Sequence, residues 1–381
     1  MGSAGQWTVL QSCSSPSWGG LEMQTLQECA ELGKESHRVI LICHPNSRLE
    51  LEAQSQNIQT IPIVLRDFPE PLGILKVRNI ITGHDIEIVH AQLSKDLWTL
   101  VPAVKLSRKA IPILLTKRVG SYIPKRDPFH RWIYNNVDRA IAISTVIKRN
   151  LLETCPLSDQ KVEVLHDGVD IDVFSAARVS PEPIRKEFKI RSDHILLGMV
   201  GRFSPGKGHE DFLEAMTILR AKFPKVRALI VGEASLGEHA YEAQIQQRAK
   251  ESGLDRLVTF TGFRRDIPAI MASFDIFVFP SHAEAFGDVV IEAMAMGKPV
   301  VSSNCDGVAD IVLHGQTGLQ VPPGSPEALA NAIESLIEDE PRRRELGIGS
   351  VQRARECFSL RRRTARLTSA YTDLLRKKRR C

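Results

Sequence analysis

Ile195-Leu196-Leu197-Gly198-Met199-Val200-Gly201-Arg202-Phe203-Ser204-Pro205-Gly206-Lys207-Gly208 is the stretch that decides the fold. Its first six residues form a short apolar run, the pattern of a strand buried on both faces, and the glycine-rich turn after it opens toward a helix. A buried strand running through a glycine turn into a helix is the repeating unit of a parallel α/β protein. Glycines let the backbone approach an anion, and Arg202 and Lys207 add positive charge where a helix amino terminus already favours phosphate. The turn therefore reads as a diphosphate site, with a basic surface turn as the plainer alternative. Gly201, Gly206 and Lys207 keep the spacing of a Walker loop, but Gly208 replaces the Ser or Thr whose hydroxyl would hold magnesium.

Outward from this stretch the same alternation repeats in two series. After 195–200 come strand candidates at 228–231, 258–260, 276–280, 300–303 and 319–321, with helices near 207–222, 241–252, 266–272, 289–296, 326–337 and 341–348. Before it, strands are expected at 7–12, 39–44, 58–64, 86–91, 111–117, 140–144 and 162–165, with helices at 21–32, 93–107, 128–135 and 146–154. The expected fold is α/β, two doubly wound, Rossmann-like parallel-sheet domains facing a central cleft. The expected division is 1–172 for the first domain, 173–193 for a linker around Val179-Ser180-Pro181-Glu182-Pro183, 194–357 for the second domain, and 358–381 for a last helix with a basic tail. Such sheets take ligands at the carboxyl ends of their strands, so chemistry is sought in strand-to-helix turns.

Composition agrees. The 381 residues are 43% hydrophobic and 25% charged, close to average globular usage, which excludes a disordered or fibrous chain. No apolar run approaches the ~20 residues that span a bilayer, and residues 1–6 lack the blocks of a secretory signal, so a cytoplasmic protein is expected. Seven scattered cysteines without CxxC spacing argue for reduced thiols and no zinc. The net charge of +5 is mild but uneven: Arg376, Lys377, Lys378, Arg379 and Arg380 run together just before the final Cys381. Beside the reading of a solvated helix end, this run makes an anionic membrane surface an expected partner; nucleic acid is not one.

The second informative turn reads Ser281-His282-Ala283-Glu284-Ala285-Phe286-Gly287-Asp288-Val289-Val290-Ile291-Glu292-Ala293-Met294-Ala295-Met296-Gly297. If Gly287 opens a helix, the backbone N–H groups of Phe286, Gly287, Asp288 and Val289 face a second phosphate or a sugar. Glu292 then lies among Val289, Ile291 and Met296, where a carboxylate requires a polar partner, such as a ribose diol. Eight helical residues rise about 12 Å. That exceeds the ~5–9.5 Å of a glycosidase carboxylate pair.

Glu284, seven intervening residues and Glu292, with the flanking Phe286-Gly287 and Ala293-Met294-Ala295-Met296-Gly297, resemble the signature of glycosyltransferase family 4, retaining enzymes of the GT-B fold. Arg202 and Lys207 match its diphosphate pair, Phe260-Thr261-Gly262-Phe263 the turn that frames the base, and Asp306 to Val312 with Gly315 to Gly318 the segment before its last strand. The resemblance implies transfer of a sugar from a nucleotide diphosphate-sugar, uridine ranked ahead of guanosine, to a hydroxyl acceptor, without metal or cofactor. It implies that Arg202 and Lys207 stabilise the leaving diphosphate, that Glu284 holds donor-sugar hydroxyls and that Glu292 holds the ribose. Gly201, Gly262, Phe263, Phe286, Gly287, Asp288 and Val289 join the donor set. Trp18-Gly19-Gly20 fits the glycine loop near the donor phosphates through Gly19 and Gly20.

Three departures stand out. Asp167-Gly168-Val169-Asp170 replaces Asn-Gly-Val-Asp, Asp310 replaces a Glu, and Arg118 stands where a histidine follows the fifth strand, leaving His90 as the nearest histidine. Arg118 and His90 are therefore carried as catalytic candidates. Asp170-Ile171-Asp172 fits a metal-binding Asp-x-Asp pattern but falls at the linker. The expected acceptor is a glycan or lipid-linked hydroxyl in cell-envelope, lipopolysaccharide or glycolipid synthesis at the inner membrane face. The last helix is expected to dock on the first domain and leave residues 376–380 exposed beside the acceptor. A nucleotide-sugar epimerase of the same fold and a non-catalytic nucleotide-sugar-binding protein are the alternatives.

Overall fold

The computed structural model describes residues 6–235 and 237–380, Arg380 as backbone alone; residues 1–5, 236 and 381 lie outside the description, and with them the side chain of the last basic residue named above. The chain forms two compact units, Met1–Asp167 with Arg361–Cys381, and Gly168–Leu360.

Among the described residues of the first unit, seven parallel strands form one sheet: β1 (Thr8–Cys13), β2 (Arg38–Cys43), β3 (Gln59–Pro62), β4 (Ile88–Ala91), β5 (Ile113–Lys117), β6 (Arg139–Ala142) and β7 (Val162–Val164). Their order is β3-β2-β1-β4-β5-β6-β7, so the winding reverses between β1 and β4. Alternate residues Val9, Leu41, Ile88, Leu114 and Ile141 point to one core, where they meet Cys29 and Leu32 of the helix Gly20–Lys34. Leu10, Ile40 and Val89, on the opposite side of the pleat, are buried too, which explains why these strands read as unbroken apolar runs. The terminal helix Leu360–Arg380 inserts Leu367, Tyr371 and Leu374 into the first of these cores.

Helices at Arg48–Ser55 and Pro71–Gly83 are additional to those read from the sequence. The first is capped by Ser47, whose hydroxyl accepts from the Glu50 N–H, and the second starts at Pro71, tolerated where no helical N–H bond is lost.

In the second unit, six parallel strands β8 (Ile195–Val200), β9 (Val226–Val231), β10 (Val258–Gly262), β11 (Ile276–Phe279), β12 (Val300–Ser303) and β13 (Gly318–Val321) run in the order β10-β9-β8-β11-β12-β13 among the described residues, reversing between β8 and β11. Leu197, Met199, Ile230 and Val278 pack on Phe212 and Met216 of the helix His209–Lys222 and on Leu329 and Ile333 of the helix Pro326–Glu338.

The expected linker belongs to this unit. Asp170 Oδ1 accepts from the N–H groups of Asp172 and Val173 in a tight turn, and Asp172 pairs with Arg178 at 3.1 Å. Arg185, on the helix Glu182–Glu187, reaches Asp275 at 3.1 Å, and Asp275 in turn accepts from the N–H of Leu196 at the start of β8. The helix expected at 341–348 runs over Glu340–Cys357, because Ser350 donates to the Thr317 carbonyl and Arg353 to those of Ile311 and Asp310. Those bonds are long-range, and local periodicity does not register them. No helix among the described residues is long and apolar enough to cross a membrane.

Candidate functional site

The carboxyl ends of β8, β11 and β12 send out three loops that pack backbone against backbone. A Cβ on Gly208, at φ +79°, would stand 2.1 Å from the Pro280 carbonyl oxygen, and one on Gly307 2.1 Å from that of Ala285. Only glycine permits either approach. The His282 N–H donates to the Gly206 carbonyl and the Gly307 N–H to that of Glu284, at 2.8 and 2.9 Å.

This stitching brings together residues 77 positions apart: Lys207 Nζ lies 2.5 Å from Glu284 Oε2, both side chains half-buried. Asp306 Oδ2 accepts from the Glu284 N–H at 3.3 Å, and Arg202 Nη1 donates to Ser235 Oγ at 3.0 Å. On the outer side, His282 Nε2 and Asp211 Oδ2 meet at 2.7 Å.

Gly287 opens the helix Asp288–Ala295 at φ +115°, as the spacing predicts, with Asp288 and Val289 half-buried in its first turn. Phe286 is buried and meets Phe358 edge to face at 5.9 Å, so its ring belongs to the core and only its backbone faces the loop. Glu292 is half-buried, and among the described residues its carboxylate meets no hydrogen-bond donor. Burial pushes its pKa up to about 8. At the carboxyl end of β10, Gly262 adopts φ +70° and Phe263 is exposed. A rim of positive side chains, backbone turns and an undonated carboxylate is chemically suited to a ligand carrying both phosphates and hydroxyls.

The first unit treats its candidates differently. His90, within β4, is fully buried: its Nδ1 meets Tyr371 Oη and its Nε2 meets Thr116 Oγ1, both at 2.7 Å, with Glu28 Oε1 3.1 Å away. Burial lowers its pKa, which leaves the ring neutral at pH 7. Arg118 is buried as well. Its Nε and Nη2 donate to the two carboxylate oxygens of Asp167 at 3.0 Å, and its Nη1 donates to Gln92. Arg363 of the terminal helix reaches Glu28 at 2.5 Å and Asp167 at 3.3 Å, closing a buried set of two arginines and two carboxylates. The nearby cations hold Glu28 well below the ordinary carboxylate range against the opposing effect of its burial.

His90 and Arg118, the catalytic candidates of the first unit, are thus buried within it, each side chain held by its neighbours. Two departures noted in the sequence also explain each other, since Arg118 and Asp167 are ion-pair partners. Glu28 and Arg363 escaped the sequence reading because nothing local marks a charge for burial. Gly19, in extended backbone, caps the helix Gly20–Lys34, and the Arg48 guanidinium stands 4.9 Å over the Trp18 ring.

The basic end also needs correction. Lys378 pairs with Asp138 at 2.9 Å and Arg379 approaches Glu87 at 3.6 Å. Those two acids directly precede β6 and β4, so the tail is drawn to the amino ends of the strands, opposite the rim where an α/β sheet takes its ligands. Arg376 and Lys377 are exposed there.

Two parallel-sheet units, the second with a cationic, glycine-built rim at its switch point, define the architecture of GT-B enzymes. Family models described as Glycosyltransferase Family 4 and Glycosyl transferases group 1 match residues 18–173 and 180–352, and the chain belongs to the family 4-like glycosyltransferases of the GT-B fold. The D-inositol 3-phosphate glycosyltransferase of Corynebacterium glutamicum is 26% identical over 397 residues, covering 96% of this chain and 94% of the relative. The lipopolysaccharide core biosynthesis mannosyltransferase LpsB of Rhizobium meliloti is 23% identical over 84% of this chain and 90% of its own. The crystal structure of Anabaena HepE in complex with UDP and glucose superposes with a TM-score of 0.81 at 24% identity, covering 96% of this chain and 99% of that one, a likeness of fold.

Proposed function

We propose that this glycosyltransferase takes its sugar from a UDP-sugar and passes it to a hydroxyl of a cell-envelope glycan or lipid, with retention at the anomeric carbon, without metal or cofactor, and at the inner face of a membrane. The observation that carries the reading is the 2.5 Å Lys207–Glu284 pair on the glycine-built rim. As the glycosidic bond breaks, its electron pair goes to the β-phosphate oxygen. Arg202 and Lys207 are the groups that offset that charge, a preorganised contact being worth roughly 3–4 kcal/mol. Lys207 exchanges Glu284 for phosphate, which frees the Glu284 carboxylate to accept from donor-sugar hydroxyls. Glu292 accepts from the ribose, and the leaving phosphate oxygen takes the acceptor proton on the same face. The UDP-bound HepE structure and the envelope chemistry in the LpsB name support this choice of donor and acceptor class.

Calorimetry with UDP and GDP in excess chelator tests the donor half of the proposal. UDP is expected to bind, and Arg202→Ala and Lys207→Ala each to lose tenfold or more in affinity. Unchanged affinity in both variants removes the site. Arg118, in place of the usual histidine, favours a binding-only protein as the second reading. Turnover of any acceptor dismisses that one, and the anomeric configuration of the product decides retention.

A further inference from the structure

We propose that the loop after β5 and the helix Pro128–Asn135 form a docking surface for an anionic membrane, and that the first unit rests on the bilayer through them. Ser121 is held at both backbone atoms by Asn150, its N–H donating to Oδ1 at 2.8 Å and its carbonyl accepting from Nδ2 at 2.9 Å. The Lys125 N–H donates to the Thr154 carbonyl at 2.6 Å, and Arg126 Nη2 to that of Glu153 at 2.9 Å. Both ends of the bulge are therefore tied to the helix Thr145–Thr154, while between them Tyr122 is 100% and Ile123 72% exposed. A loop anchored in this way holds two large apolar side chains in water although both of its ends are tied down.

The helix that follows repeats the arrangement. It buries Ile133 and Tyr134 but leaves Phe129 71% and Trp132 47% exposed, three residues apart and hence neighbours on one face. Exposed apolar clusters of this kind mark interaction surfaces.

Charge selects the partner. Arg126 and Arg131 are exposed and Lys125 is half-buried. The acid of the segment, Asp127, is occupied in capping Phe129 and His130 and in pairing with the His130 ring. Tyr and Trp beside arginine and lysine are the residues that settle at the headgroup level of an anionic leaflet, aromatic bodies inward and cations outward. A second exposed apolar group, Val64, Phe68, Leu72 and Leu75, carries Asp67 and Glu70 beside Arg66, Lys76 and Arg78, so its charge is mixed, and it presents neither Tyr nor Trp. The loop leaves β5 at its carboxyl end, the rim on which α/β sheets take ligands. A bilayer seated on it would hold lipid-linked acceptors at that rim. The surface thus deepens the envelope reading above, and it can be tested apart from the nucleotide.

The test is sedimentation of the full chain with phosphatidylglycerol-containing and pure phosphatidylcholine vesicles at low and high salt. Anionic vesicles are expected to bind it at low salt and to release it at high salt. Tyr122→Ser with Ile123→Ser should lower partitioning tenfold or more. Arg126→Gln with Arg131→Gln should lower it on anionic vesicles only, and Arg376→Gln with Lys377→Gln should leave it within twofold. Trp132 emission should shift to the blue on anionic vesicles, a shift absent from Trp132→Phe. UDP affinity and the unfolding midpoint should be unchanged in all of these, so failure of the nucleotide reading shows separately. Unchanged vesicle binding by the Tyr122/Ile123 variant overturns the proposal, as does loss of binding in the Arg376/Lys377 variant. Vesicle-free self-association that the Tyr122/Ile123 change abolishes would overturn it in favour of a second copy of the chain.

Discussion

Glu292 presents a carboxylate that the fold desolvates and no described donor satisfies, an arrangement that costs stability without a ligand. With a folded pKa near 8 against an ordinary 4.5, the group is protonated at pH 7. Stability is greatest below the unfolded pKa and declines as pH rises through the folded one, because the unfolded state gives up its proton first. A ribose diol donating to the carboxylate reverses the shift, so UDP binding near pH 7 should release up to about one proton. Calorimetry in buffers of different ionisation enthalpy measures it, and Glu292→Gln should abolish the buffer dependence. Arg118 and Asp167 permit a second residue-scale prediction. Arg118→His alone takes the bidentate partner from the buried Asp167 and leaves it only Arg363 at 3.3 Å, so the cost should stay below the roughly 3–5 kcal/mol of a fully stranded buried charge. Adding Asp167→Asn, which restores the family's pair, should recover much of that loss in denaturant unfolding.

Among the elements, the loops after β8, β11 and β12 depend on two close approaches that no Cβ can share. Gly307→Ala must push the β12 loop off Ala285 and with it the carbonyl–amide contact that seats Glu284. The expected result is a lower unfolding midpoint together with a tenfold or greater loss of UDP affinity, read by thermal scan and calorimetry. A variant that loses stability and still binds UDP normally would show that the stitching serves the fold alone. The helix Glu340–Cys357 illustrates the opposite case, in which tertiary hydrogen bonds from Ser350 and Arg353 lengthen an element beyond its own periodicity.

At the scale of the whole molecule, two units with separate cores should unfold as two calorimetric transitions. UDP at 100 times its dissociation constant should stabilise the one that carries Lys207 by about 2.7 kcal/mol. Arg363→Met leaves Glu28 without its 2.5 Å partner and should lower the other transition while leaving UDP affinity intact. A single transition that moves with both perturbations would contradict independent units.

The sequence alone determined the alternation of buried strands and helices, the two sheets and their glycine turns, because burial on both faces writes itself into continuous apolar runs and a positive φ or a close backbone approach demands glycine locally. It also marked Arg202, Lys207, Glu284 and Glu292, since a repeated spacing of charged residues around a turn is a local pattern. Only the tertiary structure decided that Lys207 meets Glu284, that His90 and Arg118 lie inside with Glu28 and Arg363, and that the basic tail ends among acids at the amino ends of β4 and β6. These outcomes turn on which distant residues share a low-dielectric interior. An arginine that pairs with a carboxylate 49 positions away is indistinguishable in sequence from one that faces a ligand, and only the three-dimensional path of the chain separates the two.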